Sequence, residues 1–128
     1  MSRIRVVHIV SAKLELSLNL AEVQAVMVGV GEVHVAVLND TLKLKGVSVP
    51  DEVFQPFVSA WPGAITISDE NGAWSGAFRR DGLVSVASTP GSRAITFTYD
   101  DGNMVQWHVD ADEYFAEVFK NAQRQFAA

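Results

Sequence analysis

The residues best suited to acid–base or metal chemistry in this chain are three scattered histidines, His8, His34 and His108. No two stand four apart, and no His-Glu-x-x-His run occurs, so the spacing that puts two imidazoles on one metal is missing. His8 and His34 each sit among valines, the setting of an ordinary strand histidine. His108 differs. It falls on the polar side of a predicted strand with Gln106, near Thr96 and Thr98, where a wet imidazole could act as a general base. It is the weak catalytic candidate; a solvated sheet face has the same composition.

Other chemistries have less support. There are no cysteines, which removes disulfide scaffolds, thiolate metal sites and cysteine nucleophiles. No Gly-x-Ser-x-Gly elbow occurs, and Ser75 is only a serine before a glycine in a predicted strand. Val28-Gly-Val-Gly31 lacks the third glycine of a dinucleotide loop and the Lys-Ser/Thr of a phosphate loop. Carboxylates pair at Asp69-Glu70, at Asp100-Asp101 and over Asp110–Glu113. Asp100-Asp-Gly-Asn103 has oxygen ligands on a turn but not the spacing of a calcium loop. No metal and no cofactor is implied.

Three surfaces remain as candidates. Aromatic residues Trp61, Trp74, Tyr99, Trp107 and Phe115 could line a ligand cavity, although each also reads as core. Asp100, Asp101, Asp112 and Glu113 belong to a stretch with six acids and no Lys or Arg, an edge that could meet a basic partner. Arg79-Arg80 is a basic pair able to grip a carboxylate or phosphate, or simply to solubilise a hairpin tip.

These residues need elements to hold them. From Gly63 to Asp110 strand-like runs alternate with turns: 64–68, 73–79, 83–88, 93–99 and 103–109. The breaks at Asp69–Gly72, Arg80–Gly82, Thr89–Ser92 and Asp100–Gly102 carry Asn-Gly, Asp-Gly and Pro-Gly, which suit tight hairpins. Alternation then puts Ile65, Ile67, Trp74, Phe78, Val84, Val86, Ile95, Phe97, Tyr99, Val105, Trp107 and Val109 on one dry face. Ser75, Arg79, Ser85, Thr96, Thr98, Gln106 and His108 take the wet one. The dry face needs a cover. Residues 110–126 predict an amphipathic helix capped by Asp110, with Glu113 three residues on and Phe115, Val118, Phe119, Ala122 and Phe126 as its stripe.

The N-terminal half is Val-rich. Residues 3–10, 14–20, 33–37 and 42–45 alternate as strands, and the phase slips at Gly46, which predicts a bulge or bend. Residues 20–28 lean towards helix, from Asn19 with Glu22 and the spacing of Leu20, Val23, Val26 and Met27. Residues 50–61 predict a short helix with Pro50 in its first turn. Pro56 implies a kink or a late start, and Trp61-Pro62-Gly63 ends it.

The expected class is α+β: a mostly antiparallel sheet, with a C-terminal five-strand meander plus N-terminal strands, packed by an amphipathic C-terminal helix and one or two short helices. The 128 residues fit a single domain. No stretch is apolar enough to span a membrane and no leader is evident, so a soluble, cytoplasmic chain is expected. A net charge of −5 makes a poor binder of phosphate backbones, so no nucleic-acid partner is expected. At 48% hydrophobic residues the chain has an apolar excess for its size, which suggests a second buried face. No family pattern is specific enough to name. The expectation is a non-enzymatic binding protein of unknown specific function, self-associating as a homodimer or holding a basic protein. The alternatives are a protein with an aromatic-lined cavity for a small apolar ligand between sheet and helix, and a small hydrolase or isomerase using His108 with a nearby carboxylate.

Overall fold

The computed structural model describes residues 6–11, 13–37, 40–69, 73–88, 93–109 and 112–128, with only the backbone of Asp112 and Glu113. The strands are β1 (Val6–Val10), β2 (Glu15–Asn19), β3 (Val23–Gly29), β4 (Glu32–Val37) and β5 (Asp40–Lys45), then β6 (Ile65–Ser68), β7 (Ser75–Phe78), β8 (Leu83–Ser88), β9 (Ala94–Tyr99) and β10 (Met104–His108). A 3-10 turn spans Leu20–Glu22, and the helices are α1 (Pro50–Ala60) and α2 (Asp112–Ala127). All pairings are antiparallel, which gives the expected α+β class. No helix of the described residues is long and apolar enough to cross a membrane.

The central feature is a five-stranded sheet in the order β5-β4-β3-β7-β6. Its middle strand, β3, reads Val-Gln-Ala-Val-Met-Val-Gly and is buried along its first six residues. Such a strand has no wet face, so both sides of the sheet must be covered. One side packs the β1–β2 hairpin and α1 through Val7, Ile9, Leu18, Val26, Val35, Phe57 and Trp61. The other packs the three-stranded sheet β10-β9-β8 and α2 through Met27, Ile67, Phe78, Phe97, Tyr99, Trp107 and Ala122. The chain therefore has two apolar cores. These take up much of the hydrophobic excess, while Val6, Val10, Leu14, Val30 and Met104 stay exposed.

Several expectations change. Residues 20–28 do not form a helix: after the 3-10 turn they become β3, because three valines and a methionine pack on both faces of a sheet more readily than on one helical stripe. The five C-terminal runs are all strands but not one meander. β6 and β7 join β3 in the central sheet, and only β8, β9 and β10 form a meander of their own. Sequential hairpins look alike whichever sheet they enter. Val84 is 59% exposed rather than core, because the β8–β9 register shifts between Leu83 and Ser85 and turns it outward. At Gly46 the chain bends at φ 71°, just past β5.

The 50–61 helix is α1, which starts at Pro50 and runs through Pro56, so Pro56 does not delay its start. Gly82 and Gly102 take positive φ, as their turns require. The Asp110 cap and most of the turns at 69–72 and 89–92 lie outside the described residues.

Candidate functional site

A single rung of the central sheet leads from the core to an open groove. In register across five strands stand Ile67, Gly76, Met27, His34 and Lys43. Ile67 is 2% exposed, Met27 9%, His34 partly buried and Lys43 exposed. The gradient has a simple cause. The central sheet is five strands wide and the sheet stacked on it is three, so among the described residues the face at His34 and Lys43 is left open. The groove there measures about 710 Å³ and is lined by Met27, His34, Thr41, Lys43, Asp69, Trp74 and all of β10, Met104–His108. That is within the usual range for ligand sites.

Two glycines let tryptophans form the groove. A Cβ on Gly29 would lie 2.2 Å from the Trp74 indole, and one on Gly76 would lie 2.7 Å from the Trp107 ring. Only a bare backbone lets an indole lie against the sheet at these points. Trp74 crosses Gly29 towards His34, with ring centroids 5.2 Å apart and planes tilted by 57°. Its indole is half-buried, supported from below and open to the groove above. Burial is the main cause holding the His34 imidazole below its ordinary pKa. Lys43 and Lys45 push the same way, and Glu32 opposes them.

The wall opposite is an edge. Among the described residues β10 pairs only with β9, and its five consecutive residues line the groove, as they do when a strand presents its side rather than a face. Tyr99 N–H donates to Asn103 C=O at 2.9 Å, and Val109 N–H to Arg93 C=O at 2.8 Å. The alternation of an antiparallel ladder then turns the main-chain N–H and C=O of Met104, Gln106 and His108 to the free side.

The other candidates scatter. Trp61 belongs to the opposite core, 5.3 Å from Phe57. Trp107 is 5% exposed and, alone of these, borders the groove beside Trp74. Tyr99 is buried, and its hydroxyl donates to Gln24 C=O at 2.9 Å and Arg79 C=O at 2.8 Å. Phe115 stacks with Phe119 inside the α2 packing. These five residues do not share a cavity. Asp100 and Asp101 precede β10, while Asp112 and Glu113 follow it. The side chains of Asp112 and Glu113 lie outside the described residues.

Asp101 also has an internal task. Its carboxylate accepts Gln24 Nε2 at 2.8 Å and Asn103 N–H at 2.9 Å. Arg79 donates to Ala21 C=O at 2.7 Å and Asp81 C=O at 3.2 Å. Arg80 donates to Gly63 C=O at 2.8 Å and Phe126 C=O at 2.9 Å, and also to Gln125 C=O. Both guanidiniums thus serve as internal clamps. His108 is exposed at one end of the groove, and no hydrogen bond to a carboxylate holds it among the described residues. His34, Lys43 and Asp69 were missed, since their neighbourhood exists only across strands. The cross-strand pair Ser17 Oγ–His8 Nδ1, 2.7 Å apart, was missed for the same reason; both residues are exposed.

No family model and no curated protein matches this chain. Among solved structures, a similar one is the LytTr DNA-binding domain of a methyl-accepting/DNA response regulator from Bacillus cereus, at 14% identity, covering 91% of this chain and 97% of that one, with a TM-score of 0.44. A likeness this loose defines no ligand for this chain. The description of that protein names a DNA binder, where the sequence reading of this chain expected a self-associating protein-binding module of unknown function and no nucleic acid. Those expectations are withdrawn, with the two alternatives beside them. The five aromatics do not share one cavity, and among the described residues no carboxylate is hydrogen-bonded to His108 to drive a hydrolase or isomerase.

Proposed function

We propose that the groove is a binding site for an unpaired nucleotide, free or within a single strand. The observation that carries this reading is the half-buried Trp74 indole, laid flat on Gly29 and open to a groove that also holds His34 and Lys43. A tryptophan face stacks any nucleobase, for about 1–3 kcal/mol. Lys43 supplies a positive charge for a phosphate, and the free edge of β10 supplies main-chain donors and acceptors for polar groups of the base or sugar. The site binds rather than reacts.

The net charge of −5 fits an unpaired ligand better than a duplex. A duplex binder draws its affinity from many neutralised phosphates, whereas stacking on one indole needs few cations. On this reading the chain works as one α+β domain, residues 1–128, in the cytoplasm, where nucleotides are plentiful.

Titration with a short unpaired oligonucleotide, followed by tryptophan fluorescence, tests the proposal. Binding should quench the Trp74 emission. Lys43→Glu, an exposed change that leaves both cores intact, should weaken binding about ten-fold, as expected for removing a cation and adding an anion beside a phosphate. The logarithm of affinity should fall with the logarithm of salt at a slope of only about −0.7 to −1.4, the mark of one or two phosphate contacts. Unchanged affinity in Lys43→Glu, or tighter binding to duplex than to single strand, would refute the reading.

A further inference from the structure

The groove pairs a permanent cation with a group that becomes one on protonation. We propose that His34 joins Lys43 in holding the phosphate of the bound nucleotide, and that it takes up a proton to do so, which makes the groove hold a single strand more tightly at mildly acidic pH. The inference rests on the nucleotide reading above and deepens it, by naming the second phosphate ligand and the regulation of the site. His34 and Lys43 are direct partners in the β4–β5 ladder. Such partners point to the same face of a sheet, with Cβ atoms about 4.5–5.5 Å apart. Both line the groove, His34 partly buried and Lys43 exposed. An imidazole and an ammonium at that spacing can meet two oxygens of one phosphate. The Trp74 ring adjoins them, its centroid 5.2 Å from that of His34. A base stacked on Trp74 therefore brings its phosphate over the His34–Lys43 rung.

The charges around this rung set the direction of the effect. Glu32 shares the His34 face of β4, and Lys45 stands opposite it on β5. From β3 comes the uncharged Met27, and the other titratable groups that line the groove among the described residues are Asp69 and His108. Before a ligand arrives, burial first and then Lys43 and Lys45 work against a proton on His34, with Glu32 opposing them. A phosphate seated beside Lys43 reverses the balance. Its negative charge favours the imidazolium, and both ring nitrogens of an imidazolium are donors. The complex thus takes up its proton at a higher pH than the free protein. By linkage, affinity rises as pH falls through the interval between the two values and levels off below the lower one.

Tetrathymidylate without a terminal phosphate, titrated against the full chain by tryptophan fluorescence from pH 8 to pH 5, provides the test. Neither its phosphodiesters nor its bases change charge over that range. Affinity should rise about ten-fold as pH falls, the effect of moving the imidazole pKa by one unit on binding. The methylphosphonate analogue of the same strand, whose backbone is uncharged, should bind with a flat profile and the protein unchanged. His34→Gln should flatten the profile for tetrathymidylate, whereas His108→Gln should keep its slope. Calorimetry at pH 6.5 in two buffers of different ionisation enthalpy should show net proton uptake with the parent chain and none with His34→Gln. A flat profile in the parent, an equal rise for the uncharged analogue, a slope that survives in a folded His34→Gln chain, or one that disappears in His108→Gln instead would each overturn the proton-linked phosphate site and leave the groove reading standing. Failure of tetrathymidylate to bind at any pH would overturn both.

Discussion

His34 carries the clearest residue-scale consequence of the groove. Its imidazole is held below the ordinary value of 6.5, first by burial, then by Lys43 and Lys45, with Glu32 opposing. The unfolded chain therefore takes up this proton at a higher pH than the folded one. The histidine's share of stability is complete above pH 6.5 and is lost as pH falls from there through the folded value. Urea unfolding at a series of pH values from 7.5 to 5 should show this decline, and His34→Gln should flatten it. An identical slope in the variant would show that other groups cause it. From the sequence, His34 was only an isolated histidine among valines. Its neighbours Trp74 and Lys43 come from two other strands, so local spacing carried no trace of them.

At the scale of elements, the protein treats its sheet edges unequally. β6 is an edge strand, and Gln125 of α2 covers it as a further strand would. Its Nε2 donates to Thr66 C=O at 2.8 Å and its Oε1 accepts Thr66 N–H at 2.8 Å. Arg80 fastens the same end of α2 to the Gly63 turn. Covering an edge in this way prevents unwanted strand pairing. Gln125→Ala should cost about 1 kcal/mol, the ordinary net worth of a hydrogen bond that water can partly replace. By NMR hydrogen exchange, the Thr66 amide should lose protection selectively, and no change at Thr66 would mean that the side-chain pairing does not hold in solution. The free edge of β10 has no such cover from β4 or β5, which leaves it as the groove wall. The helix containing Gln125 was legible from Phe115, Val118, Phe119, Ala122 and Phe126. Its choice of edge was not, because that depends on which sheet β6 enters.

At the scale of the whole molecule, two layers are tied by a polar junction inside an apolar stack. Gln24, the extra residue where the β3–β4 register shifts, is 3% exposed and bonds to Asp101, while Asn103 bonds to Gln24. Tyr99, in the outer sheet, reaches the Gln24 and Arg79 carbonyls of the central one. Burial raises the Tyr99 phenol well above its usual range, with Asp101 adding to the rise and Arg79 opposing it, so the hydroxyl remains a donor. Tyr99→Phe keeps the ring and strips the donor from buried carbonyls. It should lower stability by about 1–3 kcal/mol. In denaturant unfolding the midpoint should fall while the slope stays constant, since the surface exposed is the same. A midpoint equal to that of the parent would mean that the junction adds no net stability.

Local pattern was enough for the α+β class, the antiparallel pairing, the two helices and the dry face of β9 and β10. Alternation, helical spacing and turn residues are short-range properties, and each is written within a few positions of the chain. Pattern was not enough for the fate of Val84, the strand at 23–29, the sheet to which β6 and β7 belong, or the groove. A register shift reversed the first. The second was decided by burial on both faces, which one segment cannot announce. The groove exists because a five-stranded layer meets a three-stranded one, and the residues it gathers are joined across strands: Lys43 to His34, Trp74 over Gly29, and Asp69 beside Trp74. Such neighbours are set by hydrogen-bonded register between distant segments, and only the tertiary structure contains that register.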